Sequence, residues 1–165
     1  MIDHAFFEAR KLLENVTPLK TDCGLLCDHA CCKPSEDAGQ GVWLFPQEEC
    51  EDMAWGKKGD TRLPVTRIKA KILLCDGLCD RENRPFQCRI FPLVPFFSKK
   101  RSEWDVRMDR RAYMICPLCT YGKKALDPAF IENAKKAVQL IAKTEAGERF
   151  LTALAQEESA YRISL

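Results

Sequence analysis

Only two histidines, His4 and His29, stand among the 165 residues, too few for ordinary general-base chemistry. The chain also lacks a glycine-rich nucleotide loop and a serine–histidine–acid set. No apolar run approaches the length that spans a bilayer, so no membrane partner is expected. The opening Met1-Ile-Asp-His-Ala-Phe-Phe-Glu has neither a basic n-region nor a continuous apolar h-region, so no secretory signal is read there. A cytoplasmic location with reduced thiols follows as the expectation, and disulfides are the competing reading. Short basic runs occur at Lys57-Lys58, Lys99-Lys100-Arg101, Arg110-Arg111 and Lys123-Lys124. Without interleaved aromatics they are expected to be solvated turns, not a nucleic-acid surface. No internal repeat or low-complexity segment is present.

What the chain has is cysteine, ten in all. They fall mostly into three runs. The first is Cys23-Gly-Leu-Leu-Cys27-Asp-His-Ala-Cys31-Cys32. The second is Cys75-Asp-Gly-Leu-Cys79 followed by Cys88, and the third is Cys116-Pro-Leu-Cys119. Thiolates at short spacing bind soft or borderline metals, so each run is a candidate ligand set for zinc or iron. Cys116-Pro-Leu-Cys119 has the gap of a metal knuckle, in which backbone N–H groups donate to the sulfurs. Three-residue gaps differ from ferredoxin spacings. The adjacent Cys31-Cys32 pair favours a multinuclear centre or two neighbouring sites over one isolated ion, and an iron–sulfur cluster stays open. His29 lies inside the first run, but alternation turns it away from the sulfurs. Cys50 has no spaced partner and reads as a buried free thiol.

The length suits one α+β domain over 1–165, with a cysteine-rich metal-binding core at 17–122 and a pair of helices at 127–161. Ile2, Phe6, Ala9 and Leu13 predict an amphipathic N-terminal helix ended by Thr17-Pro18. Val42 to Phe45 predicts a short extended stretch. Pro46 opens an expected helix with Glu48 and Glu49 in its first turn and Gly56 at its end. Ile68, Ala70, Ile72 and Leu74 alternate with Arg67, Lys69 and Lys71, a half-exposed strand that leads into Cys75. Val94–Phe97 and Trp104–Met108 predict two strands joined by a polar turn. Asp127-Pro128 caps a helix whose buried face is Phe130, Ala134, Val138 and Ile141. Gly147 is expected to interrupt before Phe150, Leu151, Leu154 and Ala155 continue a second helix. These two helices are expected to cover the cysteine-bearing loops and to offer a surface for a protein partner.

Cys27-x3-Cys31-Cys32-Lys-Pro, then Gly41-Val-Trp-Leu-Phe-Pro-Gln-Glu48, then Cys79-x4-Arg84-Pro85-x2-Cys88-Arg89-x2-Pro92 resembles the zinc- or iron-chelating cysteine-cluster family (YkgJ-like). The resemblance runs from about Cys23 to Cys119. Its most specific piece is Arg-Pro-x-x-Cys-Arg-x-x-Pro. It implies a metal-chelating module with Cys31, Cys32, Cys79 and Cys88 as ligands, joined by Cys23, Cys27 and Cys75. Glu48 matches the family's acidic position, as an oxygen ligand or a supporting acceptor, or else serves the helix dipole. Arg84 and Arg89 flank the sulfurs, where guanidinium groups offset the negative charge of a thiolate site. Pro85 stiffens the chain ahead of Cys88. Three function classes remain: a metal chelator, a metal-dependent or redox enzyme, and an interaction module with structural metal.

Overall fold

The computed structural model describes residues 3–33, 41–49, 53–54, 56–77 and 79–161. Cys50, Ile2 and the Gly39-Gln40 turn lie outside them. The fold is α+β. Helix α1 (His4–Leu12) begins where the Asp3 carboxylate accepts the Phe6 N–H at 3.2 Å, the usual capping of an orphan N–H. It ends before Thr17-Pro18, because Leu13 already closes a tight bond to the Arg10 carbonyl. Pro18 is instead buried, and its carbonyl accepts the Asp127 N–H at 2.8 Å.

A three-stranded antiparallel sheet has β3 (Lys69–Cys75) at its centre, between β1 (Gly41–Leu44) and β2 (Gly56–Arg62). The register Gly41↔Leu74 and Gly56↔Cys75 brings the start of each outer strand beside the cysteine end of β3. β2 replaces the expected end of a helix at Gly56, so Lys57-Lys58 lies in an edge strand, not a turn. Among the described residues of the expected helix, Pro46–Glu48 form a single 3-10 turn. Gly56 is needed there: a Cβ would meet the Leu74 carbonyl oxygen at 2.6 Å.

Hairpin β4 (Leu93–Ser98) and β5 (Glu103–Met108) contains the two expected strands, paired Leu93↔Met108 to Ser98↔Glu103, with Lys99-Lys100-Arg101 in the turn. Helix α4 (Pro128–Ile141) starts at Asp127, whose carboxylate accepts the Ala129 N–H at 2.9 Å. Helix α5 (Glu145–Ala160) follows a break at Ala142–Thr144, and Gly147 sits inside its first turn. The break comes early because Thr144 caps α5, accepting from Gly147 N at 3.2 Å. Gly147 then packs tightly against the end of α4, where a Cβ would stand 2.2 Å from the Ile141 carbonyl.

The two C-terminal helices do not lie chiefly over the cysteine loops. α4 packs on α1 and β5, and α5 packs on β4 and the Pro46–Glu48 turn. Their apolar faces are buried in the main core with Phe130, Val138, Leu151 and Leu154. No helix among the described residues is long and apolar enough to cross a membrane. The cysteine segments join this core through four rings. Phe45 lies 5.6 Å from Phe6, 5.2 Å from Phe86 and 4.8 Å from Phe150. Phe86 opens helix α3 (Phe86–Ile90), which carries Cys88.

Candidate metal centre

The fold divides the thiols differently from the sequence. Cys88 on α3 has Cys75, Cys79 and Cys32 as its electrostatic neighbours. Cys75 ends β3, Cys79 follows it, and Cys32 arrives from the first run, so three separate stretches supply one set. Cys23 and Cys27 leave their run and face Cys116. Cys119 lies beside Cys116 and completes the second set.

The division is made by two residues. One helical turn, α2 (Gly24–Cys27), holds Cys23 and Cys27 on one side. Asp28 and His29 then take left-handed backbone at φ 49° and 54° and reverse the chain. Such conformations are uncommon outside glycine, although Asp and His adopt them more readily than most residues. A 3-10 turn, Ala30–Cys32, carries the doublet away toward Cys75 and Cys88. The His29 ring folds back over Gly24, where a Cβ would meet its Nδ1 at 2.3 Å.

Each set borders a cavity. The first cavity, about 270 Å³, has Cys31, Cys32, Cys75, Cys88 and Arg84 on one side and an apolar wall including Trp43 and Val94. The second, about 130 Å³, is bordered by Cys23, Cys27, Cys31 and Cys116 with Leu26 and Tyr121. Cys31 borders both, and its Sγ lies 3.9 Å from that of Cys32. All nine described cysteines are free thiols.

Electrostatics set the thiols apart. The hydrogen bond with Cys31 pulls Cys32 down to about 6, and the Arg84 guanidinium adds to it, while Cys31 is pushed up. Burial pushes Cys75 up to about 11 and Cys119 up to about 12, and it raises Cys88, Cys23 and Cys116 as well. Neighbouring sulfurs add to the rise in each case. Thiols that repel one another as thiolates are the groups a cation would favour in charged form. The N–H groups of Leu118 and Cys119 also work to lower Cys116, as in a knuckle turn, and the Cys119 N–H donates to the Cys116 carbonyl at 3.1 Å.

The flanking residues have distinct roles. Burial works against the charge of Arg84, and its hydrogen bond to Cys79, with Cys32 and Cys88 near, more than offsets that. Arg84 Nε is buried and finds no hydrogen-bond partner among the described residues. Arg89 is aimed elsewhere: its Nε donates to the Arg84 carbonyl at 2.8 Å and its Nη2 to that of Glu82. It braces the loop that presents Arg84. Glu48 is fully buried and both of its oxygens accept main-chain N–H groups, from Phe45 at 3.1 Å and Phe86 at 2.8 Å. That is the geometry of a carboxylate positioning α3.

The sequence reading missed Arg111. Far from a solvated turn, it is half-buried, forks onto Asp109 at 2.7 Å, and lies 5.7 Å over the Trp43 ring at the first cavity. Lys123 likewise donates to the Val106 carbonyl at 2.6 Å. The Asp109-Arg-Arg111 spacing was the available signal, since a side chain two residues away can fork onto its own capping aspartate.

Among the described residues, no three His, Cys, Asp or Glu side chains stand together as a ready ligand shell. The donor chemistry fits zinc or iron: all-sulfur sets, a guanidinium against one and reaching Cys23 of the other, and backbone N–H groups beside Cys116. No family model, curated protein or solved structure matches this chain.

Proposed function

We propose that the protein is a metal chelator that holds zinc or iron in two thiolate sites. Cys32, Cys75, Cys79 and Cys88 form one, and Cys23, Cys27, Cys116 and Cys119 form the other. The observation that carries this reading is that Cys32, Cys75 and Cys79, from separate stretches, lie within electrostatic reach of Cys88 beside the half-buried Arg84. A purely hydrophobic core has no use for a guanidinium among thiols. Beside four thiolates on a divalent ion, it offsets the excess negative charge.

The residues around the thiols divide the work of holding them. Glu48 fixes the start of α3 and so the place of Cys88, Arg89 fixes the loop that carries Arg84, and the knuckle N–H groups stabilise the Cys116 thiolate. When bound, the ions would supply the cross-links that tie these loops to the sheet. The Arg84-Pro85-x-x-Cys88-Arg89-x-x-Pro92 run supports membership of the cysteine-cluster family. A reducing compartment, the cytoplasm, suits ligands that must remain thiolates.

A second reading, a metal-dependent enzyme, is favoured by the first cavity. About 270 Å³ of largely apolar space beside one thiol set, with Arg84 and Arg111 at its edge, is room for a small substrate.

Metal analysis and absorption spectroscopy of anaerobically purified protein test the proposal. Two ions per chain are expected, with visible charge-transfer bands for iron and a colourless protein for zinc. Protein without metal, whose thiols all react at once with a thiol reagent, would overturn it.

A further inference from the structure

The hairpin from Gly56 to Lys71 holds six lysines and arginines against one acid, Asp60, although the whole chain carries a formal net charge of only +2. The rest of the molecule is therefore net negative, and this hairpin is its cationic pole. We propose that the open edge of β2 docks an extended acidic segment of a partner protein, which adds a strand to the sheet. The thiol sites take no part in this docking.

Three observations carry the inference. β2 ends the sheet, with β3 on one side and no strand on the other among the described residues. All seven of its residues pair with β3, and among the described residues no main-chain hydrogen bond leaves 57–62 on the outer side. Alternate N–H and C=O groups along such an edge are open to another chain.

The register then sets Arg62 directly opposite Lys69 and Asp60 opposite Lys71. Lys71 donates to the Asp60 carboxylate at 2.7 Å, so that pair is balanced. Arg62 and Lys69 are both exposed, and among the described residues neither forms an ion pair. Like charges directly opposite one another on one face cost stability, and a carboxylate lying between them removes that cost. The same side chains border a groove of about 510 Å³, where Arg62, Lys69 and Lys71 outnumber Glu49 and Asp60.

The edge and the charge together select the occupant. A second copy of β2 would bring cations against cations, which is how lysine-rich edges prevent self-pairing. Nucleic acid has phosphates but no ladder of N–H and C=O groups, and no aromatic side chain borders the groove for a base to stack on. An extended peptide supplies the ladder. Acids at every second position along it fall on one face, where Arg62 and Lys69 stand.

The test uses the full chain and a fluorescein-labelled peptide of alternating Glu and Val, with binding read by anisotropy. Binding is expected to weaken as salt is raised, and to protect amides of 57–62 from hydrogen exchange. Reversing both charges, Arg62→Glu with Lys69→Glu, should lower affinity by about tenfold or more. Methylating one alternate set of peptide amides should abolish binding while methylating the other set spares it, a result independent of how any variant folds. No binding at millimolar peptide would overturn the proposal. Binding that survives methylation of either set would mean charge attraction alone and refute strand addition. Equal binding of a Lys-Val peptide would refute the selection by charge. Tighter binding of oligothymidylate, or self-association that the double variant alters, would give the edge to nucleic acid or to a second copy and overturn it as well.

Discussion

The main-chain N–H of Phe86 donates to the Glu48 carboxylate at 2.8 Å across 38 residues of sequence. The other oxygen accepts from Phe45, whose ring packs edge-on against that of Phe86 at 5.2 Å. One buried acid therefore ties β1 to the helix that carries Cys88. Its place in the sequence, after a Phe-Pro step, is that of a helix-dipole carboxylate, and its use is different.

Glu48→Ala is expected to destabilise the protein by about 2–4 kcal/mol, since two buried donors lose a charged acceptor. Glu48→Gln keeps one acceptor oxygen and should cost less. Urea unfolding measures both. Metal content should fall with Glu48→Ala even at temperatures where the protein stays folded, because Cys88 loses its anchor. Undiminished stability would show that Glu48 does not hold α3.

The elements legible in the sequence were those with a strong local pattern. The β3 alternation, the β4–β5 hairpin and the Asp127-Pro128 start of α4 each follow from a few neighbouring residues. β2 was not legible, because Gly-Lys-Lys-Gly-Asp has no apolar face and the strand forms by pairing with β3. The nine cysteines were legible as metal-ligand candidates, but their grouping was not. Spacing put Cys23 to Cys32 together, whereas two left-handed residues send Cys23 and Cys27 one way and Cys32 another. Arg111 was hidden for a similar reason: its partner Trp43 is far away in sequence.

The thiols that burial raises give the metal-free protein a decline in stability above pH 9, opposite in sign to the contribution of Cys32, which is pulled down and is complete by that pH. Cys75 and Cys119 stand at about 11 and about 12 in the folded chain against an ordinary 9.0. The native state thus holds their protons more tightly than the unfolded state does. Stability from this source is fully present below pH 9 and declines as pH rises through 11 and 12. Chelator-treated protein should therefore unfold at lower urea concentration at pH 10 than at pH 8. Zinc-loaded protein should show much less of this decline, because its thiols are already ionised and paired.

Chelation itself should act unevenly. Residues 23–33, 75–77, 79–88 and 116–121 are short turns and loop ends with few core side chains, whereas α4 and α5 are anchored by Phe130, Val138, Leu151 and Leu154. Limited proteolysis after metal removal is expected to cut within the cysteine loops while the helical circular dichroism signal largely persists. Equal protection of those loops with and without chelator would mean that metal does not organise them.

Single Cys→Ser variants test whether there are two separate sites. Cys88→Ser breaks the first set at the residue that all its other members face, and Cys116→Ser breaks the second at its knuckle. Each should remove one ion and leave the other, because an incomplete thiolate shell binds poorly. The double variant should bind none. Arg84→Ala keeps every sulfur and removes the charge that offsets them, so its first site should weaken by about 10–100-fold and its second, where Arg84 reaches only Cys23, by much less. Cys50→Ser, outside the described residues, serves as the control with metal content unaltered. Competition with a chromophoric zinc chelator measures all five. If Cys88→Ser and Cys116→Ser each empty both sites, the thiols form one multinuclear centre in place of two. That result would also place Arg84 next to every ion, and Arg84→Ala would then weaken them all equally.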